Sequence, residues 1–355
     1  MQVGIIFIFQ NYEDGLSDAA AYERDVSLAS LAEPLGFDFL AATEHHFSNY
    51  SMSPDNMGFL AYMAGCTSKI KLLTGAVILP WHNPLRVIGN IIALDHLSKG
   101  RVLFGIGRGL ARSEFEPFNI DMNESRDRFN EAATLILRAL ESGVAEGEGP
   151  FYKQKRVTMR PRPYASFKDR FYSVAMSPDS VPVAAKLGAR MMVFSNHKSW
   201  EEQAPSFQEF RQIFEKNHGV EAPPPVTCDF LVCDESADRA AELAHTHMTN
   251  YYKTVIIHNE WITPFYDNVK GYTSYAVSSK TLREIGPEKA AERFVGVNAW
   301  GTPQQILDRL YERWKLIGPF DEMVQSSYGA LAQADAEKSL RLYAQKVLPE
   351  LRSWK

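Results

Sequence analysis

The chain has 355 residues, 45% of them hydrophobic, which supports a large core and suits one α/β barrel with insertions. A net charge of −5 and a pI near 6.0 give no electrostatic footprint for nucleic acid or an anionic membrane. Three cysteines, Cys66, Cys228 and Cys233, form no CxxC or Cys/His cluster. They argue against a disulfide framework or a structural zinc and fit a reducing cytoplasm.

Apolar strand-like runs alternate with helical patterns from the start. Val3–Phe9 has no basic residues before it and an acidic loop after it, so it reads as a first strand rather than a signal peptide. Ala19–Pro34 places Val26, Leu28, Leu31 and Ala32 at helical spacing. Phe37–Ala42 is a second strand, Asn56–Cys66 a helix, and Lys71–Leu79 a β-rich third strand stopped by Pro80. Leu85–Leu97 is an apolar helix ended by Ser98-Lys99-Gly100. Arg101–Ile106 is the fourth strand, with the glycine-rich exit Gly105-Ile-Gly-Arg-Gly109, and Ser125–Leu140 a long helix.

Residues 145–168 form an extended excursion, and the basic stretch Lys153 to Arg162 within it reads as a solvated hairpin edge. Arg170–Ala175 is strand five, Ser180–Lys186 a helix closed by Gly188, and Arg190–Ser195 strand six. Trp200–His218 is a helix, Val226–Cys233 strand seven and Ala237–Tyr252 a helix. Residues 253–300 are aromatic-rich without clean periodicity, the pattern of a functional lid. Thr302–Leu316 is a helix with Thr302 as cap and Pro303 at its first position, Asp321–Ser326 the eighth strand and Ala334–Leu348 a final helix. Eight strand–helix units without a linker imply an α/β fold, a (β/α)8 TIM barrel with insertions, as one domain over residues 1–355. The rival is an open doubly wound sheet. No apolar run approaches the roughly 18 residues of a membrane span.

In a barrel the C-terminal strand ends share one mouth. Strand two delivers Glu44, His45 and His46 there, a carboxylate and two imidazoles that packing alone does not explain. His45 is the candidate general base, because its ring titrates near neutrality. Glu44 either fixes a tautomer or meets a ligand, and His46 reads as structural. His82 and His96 read as structural or surface residues. A zinc site from His45, His46 and His82 fits poorly, since adjacent histidines on a strand diverge. The exits of strands four and five suit an anion. Ser177 and Ser180 straddle a helix start, Arg108 lies between two glycines, and Arg126 can add a second charge. The run around Gly105 has the wrong spacing for a P-loop or a dinucleotide fingerprint.

These motifs together resemble the bacterial luciferase-like flavin monooxygenases, and within them most closely the luciferase alpha subunit. The resemblance runs through Gly36-Phe37-Asp38, Glu44-His45-His46-Phe47, Val77-Ile-Leu-Pro80, Leu94-Asp-His-Leu-Ser-Lys-Gly-Arg101 and Phe104-Gly-Ile-Gly-Arg-Gly-Leu110. It continues through Asp121-Met122, Ser125-Arg126, Lys270-Gly-Tyr272 and Gly301-Thr-Pro303. It implies a barrel that binds reduced FMN (FMNH2), usually as a dimer, and here a homodimer is expected. His45 matches the family's catalytic histidine and Glu44 the acidic residue beside the flavin. Gly75-Ala76 falls where the family has a cis peptide under the ring. Arg108, the Leu110 backbone, Arg126, Ser177 and Ser180 match its phosphate binders, with Met176 where the luciferases carry a glutamate. Residues 253–300 match its mobile loop.

Two further departures stand out. Gly107 replaces a reactive cysteine and is expected to open space near the flavin. Ser195 takes the place of an indole, so light emission is not expected. The implied activity is that of a two-component monooxygenase. A flavin reductase supplies FMNH2, O2 adds to form a C4a-peroxyflavin, and an apolar organic substrate is oxidised in Baeyer–Villiger fashion or hydroxylated. Trp81, Trp261, Phe265 and Tyr272 would suit such a substrate. The alternatives are a deazaflavin (F420)-dependent oxidoreductase on the same fold and a non-catalytic flavin-binding partner subunit.

Overall fold

A computed structural model describes residues 1–354. Its core strands are β1 (Val3–Phe7), β2 (Phe39–Ala42), β3 (Lys71–Thr74), β4 (Val102–Gly107), β5 (Phe171–Val174), β6 (Arg190–Phe194), β7 (Val226–Phe230) and β8 (Asp321–Gln325). Each pairs in parallel with the next, and β8 pairs back to β1 through Val3↔Glu322 to Ile6↔Gln325, which closes the sheet. The eight-stranded parallel barrel is thus formed and the open doubly wound sheet is not.

The barrel interior is a layer of alternate strand residues, among them Ile6, Phe39, Leu73, Leu103, Tyr172, Met192 and Met323. It is a packed core, not a pore. Gly4 makes room for it, since a Cβ there would collide with the Phe39 ring. The intervening residues face the surrounding helices.

Two segments depart from the expected pattern. The third strand does not run from Lys71 to Leu79. It ends at Thr74, the Gly75–Ala76 peptide is cis, and Val77–Ile78 pairs again with β4. Where β3 stops, the Thr74 hydroxyl accepts the Gly105 N–H at 2.8 Å and donates to the Gly105 carbonyl at 2.8 Å. A side chain thereby replaces the missing ladder rung. Residues 253–300 are also not irregular. The helix Ala237–His258 runs on past Tyr252, and Thr273–Ile285 and Pro287–Val297 are helices. Gly271 and Gly286, both at positive φ, break this segment into short pieces, and its aromatics face several sides, so no single stripe shows in the sequence. The excursion before β5 is an exposed hairpin, Val144–Gly147 with Gln154–Thr158. Among the described residues no helix is long and apolar enough to cross a membrane.

Outside β7 and β8 lies a buried ion cluster. Arg313, on the helix Pro303–Ile317, donates to Asp229 at 2.7 Å and to Glu322 at 3.2 Å. Its guanidinium also covers the Trp200 ring at 3.9 Å. One cation faces two carboxylates. Burial, with Asp229 adjacent, pushes the Glu322 carboxyl well above the usual range. Arg313→Met should therefore lower the unfolding free energy by about 3–5 kcal/mol, because it strands a buried charge. Glu322→Gln, which mimics the protonated acid, should cost no more than about 1 kcal/mol. Urea unfolding of the two variants against the parent checks both.

Candidate active site

All the strand exits named from the sequence meet in one cavity of about 260 Å3. Glu44, His45, Gly75, Ala76, Arg108, Leu110, Arg126, Met176, Ser177 and Ser180 all line it.

At the β2 exit the side chains alternate, so Glu44 and His45 turn to different partners. Glu44 does not touch His45. His46 Nε2 lies 3.0 Å and His82 Nε2 2.6 Å from Glu44 Oε1, while the Ile78 N–H donates to Oε2 at 2.8 Å. Burial alone would raise the Glu44 carboxyl, but these hydrogen bonds outweigh it and hold the group below its ordinary value. His82, expected to be structural or at the surface, is the second imidazole on this carboxylate. Burial lowers its basicity, and Glu44 more than restores it, for a net rise. The zinc set of His45, His46 and His82 does not assemble, because two of the three converge on Glu44.

His45 instead presents Nδ1 to Glu114 Oε1 at 3.0 Å. Glu114 sits on the short helix Arg112–Phe115 after β4, is buried, and also accepts the His46 backbone N–H at 2.8 Å. Its other oxygen lies 3.5 Å from His258 Nε2. Burial opposes charge on Glu114, but the neighbouring imidazoles keep the carboxyl well below its usual range. His45, Glu114 and His258 could each offer one ligand atom to a cation, since those atoms lie within 4.8 Å of one another. With Nδ1 engaged, His45 has Nε2 left for the cavity. The sequence reading missed Glu114, which stands in a four-residue helix with no periodicity to mark it. It also missed His258, at the end of a helix read as stopping at Tyr252.

The opposite end is positive and unneutralised. Arg108 donates to the Gly271 carbonyl at 2.7 Å and lies over the Tyr272 ring at 3.8 Å. Arg126 Nη2 is buried with no hydrogen-bond partner. Neither guanidinium has a carboxylate within ion-pair distance among the described residues. Burial, and then the charge of Arg108, lower Arg126 to about 10. Beside them the Ser177 and Ser180 hydroxyls are 2.9 Å apart. Buried cations stay unpaired only where an anion completes them. A phosphate dianion meets that need, and forked guanidiniums with hydroxyls are its usual donors.

Between the two ends, Gly75, Ala76 and Ile78 form one wall. Gly107 does not open space there, because a Cβ at that position would sit 2.8 Å from Ile78 Cδ1. The Ile78 side chain already fills the gap. Of the aromatics expected to suit a substrate, only Trp261 lines the cavity. Trp81 packs on Phe115 and Phe118, Tyr272 lies under Arg108 and Phe265 under Arg112. The apolar end is made instead by Tyr50, Phe230, Tyr251, Tyr252 and Phe294, together with His197 from the β6 exit. His197 was legible by the rule that flagged the other strand exits.

A (β/α)8 barrel whose rim brings two guanidiniums without carboxylate partners, two serine hydroxyls and a carboxylate-bound histidine into one mainly apolar cavity has the architecture of an enzyme site for an anionic ligand. The chain belongs to the luciferase-like monooxygenase family, whose model matches residues 1–319. It is 27% identical over 300 residues to the alkanal monooxygenase alpha chain of Photorhabdus luminescens, covering 82% of each chain. The same protein of Photobacterium leiognathi is 23% identical over 354 residues and 97% of each chain. Among solved structures, the monooxygenase RslO1 from Streptomyces bottropensis superposes with a TM-score of 0.78 at 26% identity over 99% of each chain.

His197 gives this site a signature in stability. Burial, reinforced by Lys198, lowers its pKa to about 4, against about 6.5 in the unfolded chain. On acidification the unfolded state takes the proton first. Stability contributed by the neutral ring is therefore complete above about pH 6.5 and is lost progressively down to about pH 4, with a limiting slope of about 1.4 kcal/mol per pH unit. His197→Phe should remove this component. Its urea midpoint should fall less steeply than the parent's across that window.

Proposed function

We propose that this chain is the oxygenase component of a two-component system. A separate flavin reductase would supply FMNH2, and one oxygen atom of O2 would enter an apolar organic substrate. The observation that carries this reading is the unneutralised pair of buried Arg108 and half-buried Arg126, whose Nη2 is buried without a partner, beside Ser177 and Ser180 at one end of a cavity whose other end is aromatic. Reduced FMN, when bound, supplies the electrons that activate dioxygen.

The protein's share is binding, orientation and exclusion of water. Arg108, Arg126, Ser177, Ser180 and the Leu110 backbone would hold the phosphate, with Met176 beside them. Gly75, Ala76 and Ile78 would bear on the ring. His45, oriented by Glu114 through Nδ1, would hold or move a proton at Nε2. Glu44 would act as a fixed charge that His46 and His82 keep ionised. Residues 253–300 would be the lid, since they bring Trp261, Tyr275, Ser278 and Phe294 to the cavity and the Gly271 carbonyl to Arg108. Water kept out of such a site cannot consume the reactive species before substrate does.

Anaerobic titration tests the cofactor assignment. Reduced FMN should bind at least about tenfold more tightly than reduced riboflavin, which lacks the phosphate, and Arg126→Met should abolish that preference. Equal affinity in the parent, or tighter binding of F420, would transfer the chain to the deazaflavin reading.

We also propose a homodimer formed by the helices Asn56–Cys66 and Pro84–Leu97. Their outer faces leave Tyr62, Cys66 and Leu97 exposed, and a Cβ at Gly65 or Gly89 would meet open space, which allows close helix approach. Sedimentation equilibrium should give twice the chain mass for the parent and a monomer for Gly89→Arg. A monomeric parent would refute the assignment.

A further inference from the structure

We propose that His197 donates a hydrogen bond to a carbonyl oxygen of an aromatic substrate seated at the apolar end of the cavity. This deepens the oxygenase reading and rests on it for the reaction, though not for the binding.

The His197 tautomer follows from its one partner. His197 Nδ1 lies 2.7 Å from the Tyr252 hydroxyl, and both residues are buried. Burial raises the Tyr252 phenol far above its ordinary value, so it stays protonated. That hydroxyl has no other acceptor among the described residues, and a buried hydroxyl proton left unbonded is costly. The phenol therefore donates to Nδ1, and the single proton of the neutral ring sits on Nε2. Nε2 makes no hydrogen bond within the protein among the described residues, and His197 lines the cavity. A neutral N–H donor is thus held beside the aromatic wall, next to Asn196 and Lys198, with its acceptor to come from a ligand. An uncharged N–H donor facing aromatic rings suits a neutral acceptor such as a ketone or aldehyde oxygen, which loses little on desolvation.

The wall around it favours a flat partner. The Tyr252 and Phe294 rings stack at 4.6 Å and 18°, Phe230 meets Tyr251 at 4.1 Å, and the Tyr50 and Tyr251 hydroxyls are 3.0 Å apart. Rings locked to one another in this way leave a slot of fixed shape. An aromatic ligand fills such a slot with little loss of freedom, whereas a flexible alkyl chain must give up its rotamers to enter.

Isothermal titration of the protein, with and without added FMN, tests this with three probes: 2-naphthaldehyde, 2-methylnaphthalene and decanal. The parent should bind 2-naphthaldehyde at least about tenfold more tightly than 2-methylnaphthalene, which lacks the oxygen, and more tightly than decanal. His197→Phe should erase the preference for the aldehyde while leaving 2-methylnaphthalene within about threefold of the parent value. His197→Gln, which retains an N–H donor, should restore part of it. Tyr252→Phe, which frees the tautomer, should weaken it even if His197→Phe does not fold. Equal affinity of the parent for the two naphthalenes, tighter binding of decanal, or a loss of FMN affinity in His197→Phe would overturn the proposal. These titrations involve no turnover, so a preference for the aldehyde would stand even if oxygen transfer failed.

Discussion

Closure of the barrel is the constraint on which the site depends. Because β8 pairs with β1 and all eight strands run in parallel, every strand releases its chain on the same rim. Residues separated by most of the sequence are thereby brought to one cavity. Glu44 and His45 arrive from β2, Arg108 from β4, Ser177 from β5 and His197 from β6. The interior layer of alternating side chains makes the rim rigid, and the buried Arg313–Asp229–Glu322 cluster fastens the outside of β7 and β8 to a helix. Site geometry here follows from strand pairing rather than from any loop taken alone.

On that rim, polar groups divide into those that are satisfied and those that are not, and the division indicates what binds where. The carboxylates Glu44 and Glu114 each have imidazole and backbone N–H partners, so they are finished structures that hold charge and orient neighbours. Arg126 Nη2 is buried without a protein partner, and His197 Nε2 faces the cavity with none among the described residues. Polar groups left unfinished at a cavity are kept where a ligand completes them. The first calls for an anion and the second for a neutral acceptor, and the cavity between them is apolar. A phosphorylated cofactor lying toward the arginines and an uncharged substrate toward the aromatic end satisfy both demands.

Much of this was legible in the sequence because strand exits carry chemistry and strands carry period. Glu44-His45-His46, Arg108 and Ser177 with Ser180 stood just after clear apolar runs, and ordered motifs along the chain tied them to one family. What was not legible has physical reasons. Glu114 lies in a four-residue helix too short for any pattern, and only closure of the barrel brings it under His45. Residues 253–300 looked irregular because Gly271 and Gly286 divide them into short helices whose aromatics face both the core and the cavity. The third strand read as continuous because hydrophobicity does not register the break at Gly75–Ala76. The space expected at Gly107 was a matter of packing, and Ile78, distant from it in sequence, takes it.

On the proposed reading, this cavity holds reduced FMN and governs its reaction with oxygen. Rapid mixing of the protein and photoreduced FMN with oxygenated buffer tests it most directly, by following the return of oxidised-FMN absorbance. The expected result is a return at least about tenfold slower than that of free reduced FMN, with the delay shortened in His45→Ala. A return as fast as in protein-free solution would mean that the cavity does not hold reduced FMN away from oxygen and water.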